Sequence, residues 1–237
     1  MLPEIGEEGQ RKLSQASVAI VGAGGLGSAV ATYLAGAGVG RILIIDPDTV
    51  SLSNLQRQVL YSESQLNQPK AECAAARLLG LNSSINVEPH ACALTAGNAR
   101  KLLQGCTLVV DCTDNFEARY TIDDVCFELG LPWIYGSIGE FAGQVSVMNY
   151  RAGTRYSDFY PDREELCALL RTTKGVIGAV PGVIGSIEAC EAIKLISECG
   201  QPLDGRLFTI DLLNMNSDII IFNNNTLIQH KTNDKRI

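Results

Sequence analysis

Residues 16–27 read ASVAIVGAGGLG, an apolar run that passes directly into a cluster of glycines. A short apolar run is typical of a buried β-strand, and clustered glycines mark a tight turn. Beyond the turn, apolar residues recur at helical spacing, at Leu26, Val30, Leu34 and Ala37. The stretch therefore predicts a strand, a glycine turn and a helix, in that order.

A second strand and further alternation follow. Gly38 and Gly40 end the helical pattern, and residues 41–46, RILIID, form the continuous apolar run expected of a parallel strand covered on both faces. Helices are then predicted near 63–79, 96–103 and 116–129, and strands near 86–91, 107–111 and 132–135. This order predicts an α/β fold with a doubly wound, mainly parallel, Rossmann-like sheet.

The pattern changes after Gln144. Alternation at Val145, Val147 and Asn149 favours an antiparallel strand, and a crossover loop is predicted over about 151–175. A late helix is expected near 181–197, with antiparallel C-terminal edge strands near 207–211 and 218–222. We expect one domain over 1–223 and a polar tail over 224–237.

Composition limits the classes of partner. The 237 residues are 46% hydrophobic and 19% charged, with a formal net charge of −7. That balance argues against a nucleic-acid or anionic-membrane surface, because both need positive potential. Neither a secretory leader nor an apolar run of roughly 20 residues is evident, so the sequence predicts a cytoplasmic protein.

The glycine turn is a candidate nucleotide site. Gly22, Gly24 and Gly27 have the Gly-x-Gly-x-x-Gly spacing, which lets backbone amides and a helix dipole approach a phosphate. The alternative is a turn whose glycines serve only tight packing. Asp46, at the end of the second strand, is placed to accept hydrogen bonds from ribose hydroxyls, so NAD and ATP remain equally good ligands at this point.

The next stretch favours ATP. Residues 46–58 read DPDTVSLSNLQRQ, and QPK at 68–70 opens a helix. A dehydrogenase has no evident use for Arg57 and Lys70 there, whereas two cations beside a triphosphate stabilise charge on the α-phosphoryl group and the leaving pyrophosphate. The alternative for both is solvated surface charge.

A carboxylate follows the strand predicted near 107–111. Asp114 lies where open α/β sheets bind ligands, at the carboxyl end of a strand, and is a candidate Mg²⁺ ligand. Alternatively, Asp114 or Asn115 caps the helix that begins near Phe116.

These motifs together resemble the ThiF/MoeB/HesA family of ubiquitin-activating-enzyme-like adenylyltransferases. The resemblance covers about residues 2–213 and also includes GQV at 143–145 and GVIGS at 182–186. It implies ATP-dependent adenylation of the terminal glycine carboxylate of a small ubiquitin-fold sulfur carrier ending in Gly-Gly, with release of pyrophosphate.

The resemblance also implies roles for individual residues. Gly25 and Asp46 would contact the nucleotide, Asn54, Arg57 and Lys70 its phosphates, and Asp114 the Mg²⁺. The full predicted nucleotide-binding set is Gly22, Gly24, Gly25, Gly27, Asp46, Asp48, Asn54, Arg57, Gln58 and Lys70. Arg57, Lys70 and Asp114 are the predicted catalytic residues.

Within the family, residues 2–10 and 135–137 look closest to the ThiF branch, which serves thiamin thiazole synthesis. A molybdopterin-synthase-type carrier is the alternative, as is a nucleotide-binding scaffold with impaired catalysis. The resemblance further implies a homodimer, with the late helix and middle strands at its interface. An NAD-dependent oxidoreductase is a third possibility that the glycine turn alone permits.

The sequence departs from the family in three places. Many members carry paired Cys-x-x-Cys ligands for zinc, but 156–161 and the tail after Asn223 contain no cysteine, so we predict no structural zinc. Members that form a covalent link to the carrier have a cysteine just before this turn, but none directly precedes GVIG at 175–178, and Cys167 is out of register. Two roles are open for Cys167: a sulfur acceptor whose pKa is lowered by Arg171 or Lys174, or an ordinary loop cysteine. A family segment with an arginine that reaches the partner's ATP would lie before residue 2.

Overall fold

The structure is a computed structural model that describes residues 2–169 and 175–222. Its centre is an eight-stranded sheet with the order β3-β2-β1-β4-β5-β6-β7-β8. The strands are β1 Ser17–Val21, β2 Arg41–Ile45, β3 Asn86–His90, β4 Leu108–Asp111, β5 Trp133–Gly139, β6 Ala142–Met148, β7 Arg206–Asp211 and β8 Asn216–Ile221. The helices are α1 Gly6–Gln15, α2 Gly25–Gly36, α3 Lys70–Leu81, α4 Ala99–Leu103, α5 Phe116–Leu129, α6 Tyr156–Phe159, α7 Arg163–Ala168 and α8 Ala179–Ser197.

The sheet confirms the predicted fold class. Strands β3, β2, β1, β4 and β5 pair in parallel, and β6, β7 and β8 continue the sheet in antiparallel fashion. Strand β1 is buried at every residue, as expected for a central strand covered on both faces. The carboxyl ends of β1, β2 and β4 therefore meet at one edge of the sheet, with the glycine turn directly after β1.

Two apolar layers cover the sheet. One contains Leu34 of α2, Leu78 of α3 and Leu195 of α8. The other contains Leu103 of α4 and Tyr120 of α5. Within β5, Ile134 belongs to the first layer and Trp133 and Tyr135 to the second, which is the alternation that a strand's pleat imposes.

Several element boundaries differ from the sequence prediction. The helix expected over 63–79 begins only at Lys70, because Pro69 occupies its N-cap and Asn67 has a left-handed φ of 65°. Before it lies a short 3₁₀ turn, Glu63–Gln65. The segment predicted as a crossover loop contains two short helices, α6 and α7. Strand β5 extends to Gly139, beyond the predicted end at 135, and helix α1 is an element that the sequence analysis does not predict. Residues 170–174 and the predicted tail 224–237 lie outside the described residues.

Helix α8 lies close against α2. A Cβ at Gly185 would lie 2.6 Å from the carbonyl oxygen of Leu26 and 2.9 Å from the Cβ of Ala29, so only glycine fits there. One turn earlier, Pro181 contacts Gly25 of the glycine turn. The packing of α8 on α2 therefore also sets the position of the turn. Among the described helices, none combines the length and the apolar character that crossing a membrane requires.

Replacing Gly185 with alanine should separate packing from helix propensity. We expect Gly185→Ala to lower the free energy of unfolding by about 1–3 kcal/mol, because the methyl group overpacks the α2–α8 contact. Gly182→Ala in the same helix is the matched control: no atom lies within 4 Å of its Cβ position, so it should gain up to about 1 kcal/mol from helix propensity. Urea denaturation would measure both, and equal effects would contradict the described contact.

Candidate active site

Two of the predicted glycines are required by the fold itself. Gly22 has a φ of +97°, and its Cβ would lie 2.5 Å from the carbonyl oxygen of Cys112 at the end of β4. A Cβ at Gly27 would overlap the carbonyl oxygen of Gly22. These glycines let the turn, helix α2 and the end of β4 touch backbone to backbone. The packing alternative thus accounts for both positions without any ligand.

The other two glycines differ from each other. A Cβ at Gly25 would lie 2.8 Å from the Cβ of Pro181, so α8 occupies that space. At Gly24 the nearest atom would be the side-chain Nε2 of Gln58, at an ordinary 3.5 Å. Of the four predicted glycines, only Gly24 could carry a Cβ without a close contact to the described residues. Packing within the described structure therefore does not explain the glycine at position 24.

Asp46 organises the turn. It is buried, and its Oδ2 accepts a hydrogen bond from the Ala23 amide at 2.6 Å, while Oδ1 accepts from the Asp48 amide at 2.8 Å. Burial raises the pKa of this carboxyl, and the two amide bonds oppose that rise. The carboxylate thereby ties the glycine turn to the polar stretch. A direct contact of Asp46 with ribose remains a prediction.

Asp48 and Lys70 come together beside the turn. Lys70 is the first residue of α3 and is only 3% exposed, yet its Nζ lies 3.0 Å from Oδ2 of Asp48. The side chain of Asp48 is 67% exposed. A backbone bond from Lys70 N–H to the Asp48 carbonyl, 2.9 Å long, holds the same segments together. Asp48 therefore offers an accessible carboxylate, and Lys70 an ammonium group fixed in direction.

Residues 54–58 form a turn that folds onto the glycines. The amides of Arg57 and Gln58 both donate to the Asn54 carbonyl, at 3.1 and 3.0 Å. Gln58 is buried, and its Oε1 has no hydrogen-bond partner in the described structure. An unsatisfied buried amide oxygen is costly unless something absent from the structure completes it. Half-buried Arg57 has no acidic partner within residues 2–169 and 175–222.

The loop after β4 contains Asp114 and Asn115, for which the sequence left open helix capping or, for Asp114, Mg²⁺ binding. Asn115 is the N-cap of α5, with Oδ1 accepting from the Ala118 amide at 2.9 Å. Asp114 is exposed and is not the cap. Within the part of the chain that the structure describes, no three His, Cys, Asp or Glu side chains are grouped to hold a metal ion. Mg²⁺ binding through Asp114 stays a prediction.

A buried ion pair lies beneath this loop and was missed by sequence reasoning. Asp111 accepts from Arg119 Nε at 3.3 Å and from the Thr113 hydroxyl at 2.6 Å. Arg119 Nη2 also reaches the Ser137 hydroxyl at 3.3 Å. Burial raises the pKa of Asp111, and the Arg119 charge opposes the rise. The only sequence signal was an aspartate ending the apolar run of β4, which also looks like an ordinary strand end.

Glu188 is a second missed group. It lies in α8, is fully buried, and neither carboxylate oxygen has a hydrogen-bond partner among the described residues. The group presses against Gly136 of β5, where a Cβ would overlap its oxygens. Burial and the nearby Asp111 raise the pKa of Glu188 well above its ordinary value, against the effect of Arg119. Burial therefore favours the neutral form of Glu188 in the folded protein.

Cys167 lies near the site but outside the predicted register. It is exposed in α7 and lines a cavity of about 130 Å³ together with Asn115, Phe116 and Glu117. Arg171 and Lys174, which the sequence analysis considered as activating neighbours, fall outside the described residues. The choice between a sulfur acceptor and an ordinary cysteine therefore stays open.

The glycine turn, the buried Lys70 and the polar residues 46–58 lie together at the carboxyl edge of the sheet, as the family resemblance implies. A profile of the ThiF family matches residues 1–234. The chain belongs to the ThiF family.

Curated ThiF-family relatives extend this result. SAMP-activating enzyme E1 of Haloferax volcanii is 40% identical over 230 residues, covering 95% of this chain and 83% of the relative. Sulfur carrier protein adenylyltransferase of Thermus thermophilus is 42% identical over 219 residues, covering 90% and 81%. Adenylyltransferase and sulfurtransferase MOCS3-1 of Zea mays is 43% identical over 214 residues, but the chain spans only 46% of that protein. The chain is an adenylyltransferase of the ThiF family.

Solved structures agree on the fold. E. coli MccB with ATP matches with a TM-score of 0.79 and 26% identity, covering 91% of this chain and 66% of MccB. MccB with AMPCPP and MccA reaches a TM-score of 0.81 at 24% identity and supports the fold alone.

The glycines allow a direct test of packing against ligand binding. We expect Gly27→Ala to destabilise the protein, since its methyl group would overlap the Gly22 carbonyl, and Gly24→Ala to retain most of its stability. Gly24→Ala should nevertheless weaken ATP binding by about tenfold or more, because the methyl group occupies the ligand's space. Thermal melts and calorimetric titration would measure the two effects. Unimpaired ATP binding by Gly24→Ala would contradict the assignment.

Glu188 should make stability depend on pH. Its pKa is raised in the folded state above the ordinary 4.5, so the unfolded chain releases this proton first as pH rises. The free energy of unfolding should then decrease as the pH rises above 4.5, by up to about 1.4 kcal/mol per pH unit, until the pH exceeds the pKa of Glu188 in the folded protein. Glu188→Gln should flatten this decline above pH 5, whereas exposed Glu128→Gln should not. Superimposable melting profiles for wild type and Glu188→Gln would show that Glu188 is ionised in the fold.

Proposed function

We propose that this adenylyltransferase activates the C-terminal glycine carboxylate of a small ubiquitin-fold sulfur carrier ending in Gly-Gly, using ATP and releasing pyrophosphate. The observation that carries the proposal is the convergence of Gly24, which packing does not require to be glycine, the Asp48–Lys70 pair and the unsatisfied Gln58 at one edge of the sheet. Relatives named for sulfur carriers and for SAMP support the class of acceptor.

The nucleotide would lie across the glycine turn. The N-terminus of α2 offers its helix dipole and the amides that follow Ala23 to a phosphate or ribose oxygen. Asp48 is the accessible carboxylate for the ribose hydroxyls, with Asp46 behind it. Gln58 Oε1, unsatisfied in the described structure, is suited to accept from a ligand hydroxyl or amino group.

The reaction needs positioning and charge more than proton transfer. The carrier carboxylate attacks the α-phosphorus, the bond to the bridging oxygen breaks, and the electron pair leaves with pyrophosphate. A carboxylate is already a nucleophile, so no dedicated base is required. Lys70, Arg57 and Asn54 would hold the phosphate oxygens while the charge moves. Mg²⁺, held through Asp114, would supply further charge neutralisation.

The carrier pathway and the assembly belong to the proposal as well. We assign the chain to thiamin thiazole synthesis on the ThiF-like segments 2–10 and 135–137. A molybdopterin-synthase-type carrier fits the family equally, and pyrophosphate exchange with each carrier separates the two. A homodimer, a cytoplasmic location and the absence of structural zinc remain predictions.

The test of the function is carrier-dependent exchange of labelled pyrophosphate into ATP. Purified protein, Mg²⁺ and a carrier ending in Gly-Gly should give exchange, and the same carrier lacking its last two residues should give none. ATP binding without exchange, for every carrier tried, would instead favour a scaffold with impaired catalysis. NADH that outcompetes ATP would support the oxidoreductase alternative.

Substitutions at Lys70 and Asp114 should have different effects. Lys70→Met should lower kcat for exchange by about 100-fold or more with a smaller effect on ATP affinity, because the ammonium group acts on charge that develops in the transition state. Asp114→Asn should instead raise the Mg²⁺ concentration needed for half-maximal exchange. Exposed Lys101→Met is the control and should match wild type. Full exchange activity in both site variants would refute the assignment.

A further inference from the structure

Tyr61 contacts the glycine turn from outside the predicted set of site residues. The side chain is 8% exposed, and its hydroxyl donates to the carbonyl oxygen of Ala23 at 2.7 Å. Its own amide donates to the Gln58 carbonyl at 3.2 Å, so Tyr61 ends the same turn that brings Gln58 against Gly24. Tyr61 therefore bonds to the glycine turn at Ala23, and Gln58 of the same short segment lies beside Gly24.

The hydroxyl completes a clamp on Ala23. Asp46 accepts from the Ala23 amide at 2.6 Å on one side, and Tyr61 donates to the Ala23 carbonyl on the other. The peptide groups before and after Ala23 are thus each fixed by one buried side chain. Since a peptide group is planar, fixing one of its polar atoms also fixes the direction of the other.

This geometry determines where the next amide points. The Ala23 carbonyl and the Gly24 N–H belong to one peptide group, which is trans because the described chain has no cis bonds. In a trans peptide these two groups point in opposite directions. The Gly24 N–H therefore points away from the Tyr61 hydroxyl, and no acceptor for it exists among the described residues.

We propose that Tyr61 is a positioning residue, which orients the Gly24 amide to donate to a phosphate or ribose oxygen of the bound nucleotide. The inference rests on the proposed function and adds to it a residue that touches no substrate. Burial, followed by the charge of Asp46, raises the pKa of Tyr61, so the hydroxyl stays a donor across the range in which the enzyme can be assayed.

A purely structural role is the alternative, and Tyr120 provides the matched control. Its hydroxyl also donates to a backbone carbonyl, that of Tyr160, but in the layer on the opposite face of the sheet. Tyr61→Phe and Tyr120→Phe each remove one hydroxyl that satisfies a backbone carbonyl. Both variants should be less stable than the wild type, whereas only Tyr61→Phe should bind ATP more weakly.

The experiment measures the Kd for ATP·Mg²⁺ by calorimetry and the kinetics of pyrophosphate exchange for the three proteins. Tyr61→Phe should raise both the Kd and the KM for ATP by about tenfold and leave kcat within about twofold, because the Gly24 amide binds ground state and transition state alike. Tyr120→Phe should leave Kd and KM unchanged. A structural role alone would lower the active fraction, and hence kcat, at an unchanged KM.

The outcomes distinguish failure of the proposed function from failure of the positioning role of Tyr61. Wild-type protein that binds no ATP would overturn the proposed function and this inference together. Wild-type binding with an unchanged Kd in Tyr61→Phe, or an equal loss in Tyr120→Phe, would overturn the inference alone. If Tyr61→Phe fails to fold, glycine-selective ¹⁵N spectra of the wild-type protein decide: the Gly24 amide resonance should move on addition of ATP, and an unmoved resonance at saturation would overturn the inference.

Discussion

Backbone-to-backbone contact between the glycine turn and the end of β4 is the constraint on which the rest of this structure depends. Gly22 and Gly27 have no space for a Cβ, because the Cys112 carbonyl and the Gly22 carbonyl occupy it. The close approach brings the carboxyl ends of β1 and β4 together and starts α2 between them. The same packing places no close contact at Gly24, so one short turn combines glycines that the fold requires with one that it does not.

Burial of Asp46 extends this arrangement to the polar stretch. A carboxylate removed from water is costly unless its oxygens are bonded, and here backbone amides on both sides satisfy them. The stretch that begins at Asp48 is consequently held against the turn, which brings Lys70 and Gln58 to the same edge. The residues that would handle phosphate groups are thus placed by an acid that lies behind them.

The sequence predicted the fold well where a single local signal was sufficient. Continuous apolar runs located β1 and β2, and Asn115 together with Phe116 marked the start of α5 correctly. The sequence could not separate the glycines by role, because the crowding at Gly25 depends on where Pro181 of a distant helix lies. Arg119 and Glu188 were missed for a related reason: on a helix they read as surface charges, and only tertiary packing buries them.

The buried charges beneath the site bear on how it attracts a nucleotide. Arg119 donates from Nε to Asp111 and from Nη2 to the Thr113 carbonyl and the Ser137 hydroxyl, and its charge also opposes the rise in the pKa of Glu188. Asp111 and Glu188 are 0% exposed and Arg119 is 7% exposed, so an ionised Glu188 would leave an excess negative charge in the interior, which is costly. With Glu188 neutral, the charges of Asp111 and Arg119 cancel, and this buried cluster adds no net negative charge behind the N-terminus of α2. A neutral Glu188 would therefore favour the binding of an anionic nucleotide that the proposed function requires of a chain with a formal net charge of −7.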